Sequence, residues 1–499
     1  MSIPVSTVTP NTWEFLRDPM IVPTGFREYD ARWQYPEDIN LPGVTALGRG
    51  LGTQIHRRGL RPAIVVGNDY RSYSLAIKHA LTIGLMQAGL KVIDIGPCLS
   101  PMAYFAQFHL DISAVAMVTA SHNPNGWTGV KMGIDRPLTH GPDEMTELKE
   151  IVLKGLGETH TGGSVIFESK IKDAYLSDLI GDFRLSRPLK VVCATGNGTA
   201  SEFAPELLER IGVEVVTRHT QLDYTFPHYN PNPEALEMLH DMAEMVHSSQ
   251  ADFALGFDGD GDRCGVVDNE GVEIFADKMG VILARDLVKL YPKAQFIADI
   301  KSTGLFSFDP VLRASGATID YWKTGHSHIK KRIQEIGALA GFEKSGHFFF
   351  GEPIGRGYDC AMRVAIEICK LMDRNPTISL SDLRKQLPLT YLSPTLSPYC
   401  ADADKYGVVE RLVRKFVRKH RAGEKIAGRS IKNINLVNGA RITLDNGAWG
   451  LLRASSNTPN LVIVCESPDS ETEMREIFAE IDKVIKTERS VGDYDQFFA

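Results

Sequence analysis

No stretch of the 499-residue chain holds about 18 consecutive apolar residues, so a membrane-spanning helix is not expected. Nor is there a Cys-x-x-Cys pair. The seven cysteines (Cys98, Cys193, Cys264, Cys360, Cys369, Cys400 and Cys465) are odd in number and scattered, several of them in apolar, strand-like runs. That predicts reduced, buried thiols in a reducing compartment and excludes a disulfide scaffold. Positive charge is in slight deficit, with 55 Lys and Arg against 62 Asp and Glu and a formal net charge of −7. Bulk attraction to nucleic acid or to an anionic membrane is thereby excluded, and an anionic ligand needs a local basic site. The opening segment MSIPVSTVTPNTWEF has neither a basic start nor an apolar core, so no secretory leader is expected and the cytoplasm follows by default. Low-complexity linkers and fixed-period repeats are also missing. What remains is the profile of an ordinary globular protein, 43% hydrophobic and 23% charged, long enough for about three or four domains.

Strand and helix signals alternate along the chain. PAIVVG (62–67), KVIDIG (91–96) and AVAMVTA (114–120) read as strands, with helical spacing at 73–88 and a short helix at 101–108. The plan recurs with the strand in PLKVVCATGNG (188–198), the helix in FAPELLERIG, a helix at 234–248 and the strand DFALGFDG (252–259). A third round has a helix at 277–290, strands at 294–300 and 317–323, a helix at 328–335 and a strand at 338–344. The last hundred residues differ, with a helix at 404–420, a hairpin over 431–444 turning at Asn438-Gly439, strands near 448–453 and 460–465, and a helix at 470–487. The pattern predicts three α/β units with mainly parallel sheets, followed by a smaller α+β unit. The expected domains are 1–170, 171–273, 274–390 and 391–499.

Ligands of open α/β sheets collect at the carboxyl ends of strands, and several of these strands end in polar clusters. The strongest is Asp258-Gly259-Asp260-Gly261-Asp262-Arg263. Three carboxylates so close repel unless a cation joins them, and oxygen ligands point to a hard divalent ion, Mg²⁺ first. An EF-hand loop does not fit, because its sixth position is Arg263 and its twelfth is Asn269. A solvated acidic turn is the bland alternative. The second cluster is Thr119-Ala120-Ser121-His122-Asn123-Pro124. Ser121 at a strand end suits a nucleophile or phosphate carrier, although a Ser or Asn turn before proline explains such a segment better when it is taken by itself. A Ser-His hydrolase is disfavoured: the surroundings are not Gly-x-Ser-x-Gly, and neighbours in an extended chain point apart. Lys131, ten residues on, can supply a cation or a proton. Thr324-Gly325-His326 and Glu343-Lys344-Ser345-Gly346-His347 offer groups for vicinal sugar hydroxyls. Arg453-Ala454-Ser455-Ser456-Asn457-Thr458-Pro459 suits a phosphate oxyanion. Phe26 to Arg32 supplies two more arginines, and Lys301-Ser302-Thr303 follows another strand. Taken singly, each of these has a plain reading as a turn, a surface ion pair or a structural histidine.

In this order, TASHNP, DGDGDR, TGH, EKSGH and RASSNTP resemble the α-D-phosphohexomutases, most closely the phosphomannomutase/phosphoglucomutase branch. The resemblance runs from YDAR at 29–32 to the end of the Arg453 loop. It implies three topologically similar α/β domains plus a C-terminal α+β domain around a central cleft. It implies that Ser121 is an active-site phosphoserine and that Asp258, Asp260, Asp262 and a phosphoserine oxygen hold Mg²⁺. Arg32, His122, Lys131, Arg263 and His347 are then similar to residues that steady the phosphoserine or move protons. Tyr29, Lys301, Gly325, His326, Glu343, Ser345, Arg453, Ser455, Ser456, Asn457 and Thr458 are similar to substrate-binding residues. Four positions depart from the family pattern: Thr128 before Gly129, Ser456 and Asn457 in the last loop, and Lys344 where Met is frequent, an extra cation near the sugar.

The implied reaction moves phosphate between O1 and O6 of a hexose phosphate, mannose or glucose, through a 1,6-bisphosphate that also serves as activator. A hinge near 390 is expected to let the small domain close over its ligand. The expected partner is a small phosphosugar, with no nucleic acid and no membrane, the protein being a monomer or homodimer. Rival readings are a phosphoglucosamine mutase, a non-catalytic phosphosugar-binding protein and a metal-dependent phosphatase.

Overall fold

The computed structural model describes residues 3–455 and 458–496. Its first sheet is built on the most apolar runs of the chain. Ala63–Asn68 runs parallel to Lys91–Pro97 on one side and to Ala114–Val118 on the other, and Ala63–Asn68 and Ala114–Val118 are buried throughout. Helices on both faces of a parallel sheet bury its strands on both sides, so their sequences are continuously apolar. Ser164–Phe167 extends the sheet in parallel beyond Lys91–Pro97. At the other edge, Trp127–Gly133 pairs antiparallel with Ala114–Val118, and Ala31–Gln34 pairs antiparallel with Trp127–Gly133. This order places Ser121 just past the end of Ala114–Val118, with Lys131 on the adjacent strand and Arg32 on the edge strand beyond it.

One long helix of this domain, Leu41–Arg57, carries no clear signal in the sequence, because glycines at 43, 48, 50 and 52 depress its propensity. The structure gives their use. An ideal Cβ at Gly48 would lie 2.3 Å from the Leu81 carbonyl oxygen, and one at Gly84 would lie 2.0 Å from the Thr45 carbonyl oxygen. Leu41–Arg57 and Ser74–Gln87 therefore pack backbone against backbone, which no larger residue permits.

In the second sheet, Lys190–Ala194 lies parallel to both Glu214–Arg218 and Phe253–Phe257. Phe253–Phe257 then reverses through residues 258–263 into the antiparallel strand Cys264–Asp268, with Phe257 opposite Cys264. The acidic cluster is thus the turn of a buried hairpin. In the third sheet, Gln295–Asp299 is parallel to both Thr318–Trp322 and Ala340–Phe342. The C-terminal sheet is antiparallel in the order Arg429–Asn435, Ala440–Leu444, Trp449–Ala454, Leu461–Ser467, and helices Lys405–Arg421 and Glu471–Ile485 pack on it. The hairpin turns at Asn438-Gly439, where Gly439 has φ +77° and an ideal Cβ would lie 2.1 Å from the Leu452 carbonyl oxygen.

The chain forms two compact units. The first runs up to Ala276 and takes in Ser345–Ser381; the second comprises Asp277–Lys344 and the chain from Asp382 onward. Helix Ala361–Arg374 belongs to the first, where it packs on helices Ile171–Ile180 and Ala204–Arg210. The span 274–390 therefore contributes to both units.

Strands Gln295–Asp299, Thr318–Trp322 and Ala340–Phe342 of the third sheet lie in the second unit with the C-terminal sheet, on the two sides of the expected hinge near 390. Buried Arg441 donates to the carbonyls of Ile300 (2.6 Å) and Ser302 (2.7 Å) and lies 4.0 and 3.7 Å from the ring centres of Tyr321 and Trp449. Glu466 accepts from Thr303 Oγ1 (2.7 Å), the Gly304 N–H (2.6 Å) and Trp449 Nε1 (2.6 Å). A buried polar network of this kind favours the one geometry in which its members are paired. All seven cysteines are buried and none is in a disulfide, and among the described residues no helix is long and apolar enough to cross a membrane.

Candidate active site

The loop after Ala114–Val118 does not continue as extended chain. Ser121 has φ +51°, a left-handed conformation costly for a residue with a side chain. That turn overrides the expectation that Ser121 and His122 point apart, because it brings His122 Nδ1 to 3.4 Å from Ser121 Oγ. The same oxygen donates to Asp258 Oδ2 at 3.1 Å, and the serine is only 2% exposed. The approach of the two loops requires glycine at 259, where an ideal Cβ would lie 2.6 Å from the Ser121 carbonyl oxygen.

Asp258, Asp260 and Asp262 are fully buried, with one carboxylate oxygen of each within 4.8 Å of the others. Asp258 Oδ1 accepts from the N–H groups of Asp262 (3.0 Å) and Arg263 (3.1 Å), which fixes the turn. Asp260 Oδ2 accepts from Ser100 Oγ (2.5 Å) and from the Lys131 ammonium (2.7 Å), which also binds Asp262. Burial, followed by the charges of Asp262 and Asp260, pushes the Asp258 carboxyl well above the usual carboxylate range. Burial is the largest single influence on Asp260 and Asp262 and acts the same way, but Lys131 together with the other donors and cations around them leaves both lowered. Burial opposes charge on Lys131 too; the two carboxylates overcome it and hold the lysine protonated. Of the two roles open to Lys131, cation and proton carrier, this arrangement favours the cation.

Arg263 Nε donates to His347 Nε2 (2.9 Å), and its Nη1 lies 3.2 Å from Glu234 Oε2. His347 Nδ1 is 3.0 Å from Asp359 Oδ2. Arg32 donates to the Thr119 carbonyl (3.0 Å) and pairs with Asp30 (3.0 Å), passing over Gly129, where an ideal Cβ would lie 2.6 Å from its Nη1. Arg263 first, then burial and Arg32, drives the His122 imidazole well below its ordinary range, so it is neutral at pH 7. Tyr29 and Ser345 are half-buried in the same unit.

The second unit holds two further groups. The Gly325 N–H donates to Glu343 Oε1 (2.8 Å), with Gly325 at φ +121°, and Thr324 Oγ1 donates to Asp299 Oδ2 (3.0 Å). His326 opens helix His326–Ile336, is buried, and has its Nδ1 3.3 Å from Lys330 Nζ. Lys301 is half-buried just beyond strand Gln295–Asp299. Burial lowers the pKa of Lys344, while Asp277 and then Asp299 oppose that shift. The charge of Lys344 is thus answered inside its own unit. In the other group, buried Arg453 donates to the Ala454 carbonyl (2.9 Å), and Ser455 Oγ accepts from the Thr458 N–H (3.2 Å) and Oγ1 (2.8 Å). Ser456 and Asn457 lie outside the described residues.

Sequence models of phosphoglucomutase/phosphomannomutase alpha/beta/alpha domains I, II and III match residues 23–157, 173–271 and 275–391. A phosphomannomutase/phosphoglucomutase of Pseudomonas syringae pv. tomato is 33% identical over 470 residues, 93% of this chain and 97% of its own length. The chain belongs to the phosphoglucomutase/phosphomannomutase family. A Pseudomonas aeruginosa relative with the same two-part name is 32% identical over 452 residues, 91% of this chain and 93% of its own. The crystal structure of a phosphoglucomutase/phosphomannomutase family protein from Burkholderia thailandensis superposes with a TM-score of 0.84 at 29% identity, covering 96% of this chain and 100% of that one. Membership makes this protein an isomerase by class.

In this family member the acidic turn fits a hard divalent cation. Three buried carboxylates face one ammonium, and among the described residues Asp260 Oδ1 and Asp262 Oδ1 have no hydrogen-bond partner. Such oxygens are costly to bury without a cation to meet them. Asp262 also lies within 4.8 Å of His347 and Asp359, where the 3.0 Å contact between those two accounts for the closeness.

Several residues of the site escaped the sequence reading. Ser100 and Asp359 each touch one site residue, and Asn230 donates to the His122 carbonyl. Asp69 and Arg71 brace the Ser121 loop. The available signal was slight: Asn68-Asp69-Tyr70-Arg71 closes a buried strand, the position where the other clusters sit.

Proposed function

We propose that this protein interconverts hexose 6-phosphate and hexose 1-phosphate, with mannose and glucose as its sugars, through phospho-Ser121 and a 1,6-bisphosphate. The relatives named phosphomannomutase/phosphoglucomutase support the sugar class. The observation that carries the reading is Ser121 Oγ, 3.1 Å from Asp258 within a buried triad of acids.

In the first half-reaction the bond from phosphorus to Ser121 Oγ breaks, a bond to the free sugar hydroxyl oxygen forms, and the hydroxyl proton passes to a base. In the second, the bond from the other phosphorus of the bisphosphate to its sugar oxygen breaks, a bond to Ser121 Oγ forms, and the sugar oxygen regains a proton. Catalysis of phosphoryl transfer is positioning plus stabilisation of spread negative charge. Ser121, Asp258, Asp260 and Asp262 would hold Mg²⁺, whose charge offsets that of the phosphoryl oxygens. Lys131 and Arg32 add fixed positive charge beside them. His347, whose Nε2 accepts from Arg263 and whose Nδ1 faces Asp359, is assigned to holding the Arg263 guanidinium, and His122, neutral and with Nδ1 3.4 Å from Ser121 Oγ, to proton transfer. Glu343 and Ser345 are assigned to the sugar hydroxyls, and Arg453, Ser455 and Thr458 to the phosphate that does not react. Seven buried free thiols suit the reducing cytoplasm.

A coupled assay over mannose, glucose and glucosamine 1-phosphates, primed with trace bisphosphate, tests the reading. Conversion of the mannose and glucose esters to 6-phosphates is expected, without release of inorganic phosphate. Preference for the glucosamine ester, or stoichiometric phosphate release, contradicts it.

A further inference from the structure

The left-handed conformation of Ser121 is held from outside its own loop. Arg71 Nη2 donates to the carbonyls of Ser121 (2.9 Å) and Asn123 (2.6 Å), one on each side of His122. Its Nη1 pairs with Asp69 Oδ2, and both side chains are 1% exposed. Asp69 Oδ2 also accepts from Thr119 Oγ1 (2.9 Å) and the Ala120 N–H (3.3 Å), while Oδ1 accepts from Ser74 Oγ (2.5 Å). The ring of Phe226 lies 5.5 Å from the Arg71 guanidinium. Every residue from Thr119 to Ser121, and Asn123 beyond, is therefore bonded to this pair, directly or at its carbonyl.

We infer that Asp69 and Arg71 are positioning residues that hold Ser121 in its transfer-competent conformation. The inference rests on Ser121 being the phosphate carrier. The physical argument is one of cost. A serine at φ +51° persists only where its surroundings over-determine it. Two carbonyl acceptors on either side of one residue, bound by one rigid planar fork, do so in a way a single ammonium cannot reproduce. Relaxation of the loop would swing Ser121 Oγ away from Asp258 without removing any group that touches substrate.

Arg71→Lys tests this, because it keeps the charge opposite Asp69. Wild type and variant are compared for the rate at which Ser121 gains phosphate from glucose 1,6-bisphosphate and loses it to hexose phosphate, read by intact mass. Both rates should fall about tenfold to hundredfold, the scale of an ångström-sized misplacement, with KM and the thermal midpoint close to wild type. Phe226→Leu, which thins the stacking on Arg71, should lower both rates in the same sense by a smaller factor. Wild-type transfer rates in Arg71→Lys overturn the inference, as does a rate loss that only follows a loss of thermal stability. If wild-type protein never carries phosphate on Ser121, the carrier reading falls first and this one with it.

Discussion

Ser121→Ala is expected to lower mutase turnover by about 10⁴-fold or more, the scale on which loss of a covalent nucleophile is felt. The fold should survive. The side chain loses one hydroxyl whose donated bond goes to Asp258 Oδ2, worth about 0.5–1.5 kcal/mol net. Alanine meets the same left-handed backbone that serine already tolerates at 121, so no new strain enters. Circular dichroism and the thermal midpoint should therefore stay near wild type while product formation disappears. A variant with full activity would remove Ser121 from the centre of the reaction.

Chelation should have the second largest effect. Three buried carboxylates against the one ammonium of Lys131 leave two negative charges unbalanced, and Asp258 answers with a strongly raised pKa. Titration with EDTA is expected to take activity to background, and Mg²⁺ to restore it. The thermal midpoint should fall with metal removal, since a ligand bound only by the native state at a hundred times its Kd contributes about 2.7 kcal/mol. Asp260→Asn should lose both the activity and the response of the midpoint to Mg²⁺. Undiminished turnover in protein freed of metal, verified by elemental analysis, would contradict the assignment of these acids.

Much of this arrangement was readable in the sequence, for physical reasons that differ by element. Ala63–Asn68 and Ala114–Val118 announce themselves because a strand buried on both faces must be apolar throughout. Asp258, Asp260 and Asp262 stand out in the sequence because closely alternating acids repel one another unless a cation or solvent answers them. Helix Leu41–Arg57 did not show itself, since the glycines that let it touch Ser74–Gln87 look like helix breakers until the neighbouring carbonyls are in place. Arg441 and Glu466 join two sheets across more than a hundred residues of sequence, and nothing local marks either side chain as a partner of Ile300 or Thr303. Asp69, Arg71 and Asp359 are ordinary charged residues at strand ends, and their importance lies in which backbone or ring they reach.

The central claim is that phosphate passes through the oxygen of Ser121 to the sugar, and one measurement addresses it directly. Protein carrying radiolabelled phosphate, mapped to residue 121, is mixed with excess unlabelled glucose 1-phosphate and quenched at intervals within a single turnover. The label should leave the protein and appear in glucose 1,6-bisphosphate before any reaches the monophosphate pool. Label that stays on the protein while product forms, or departs as inorganic phosphate, would contradict the account.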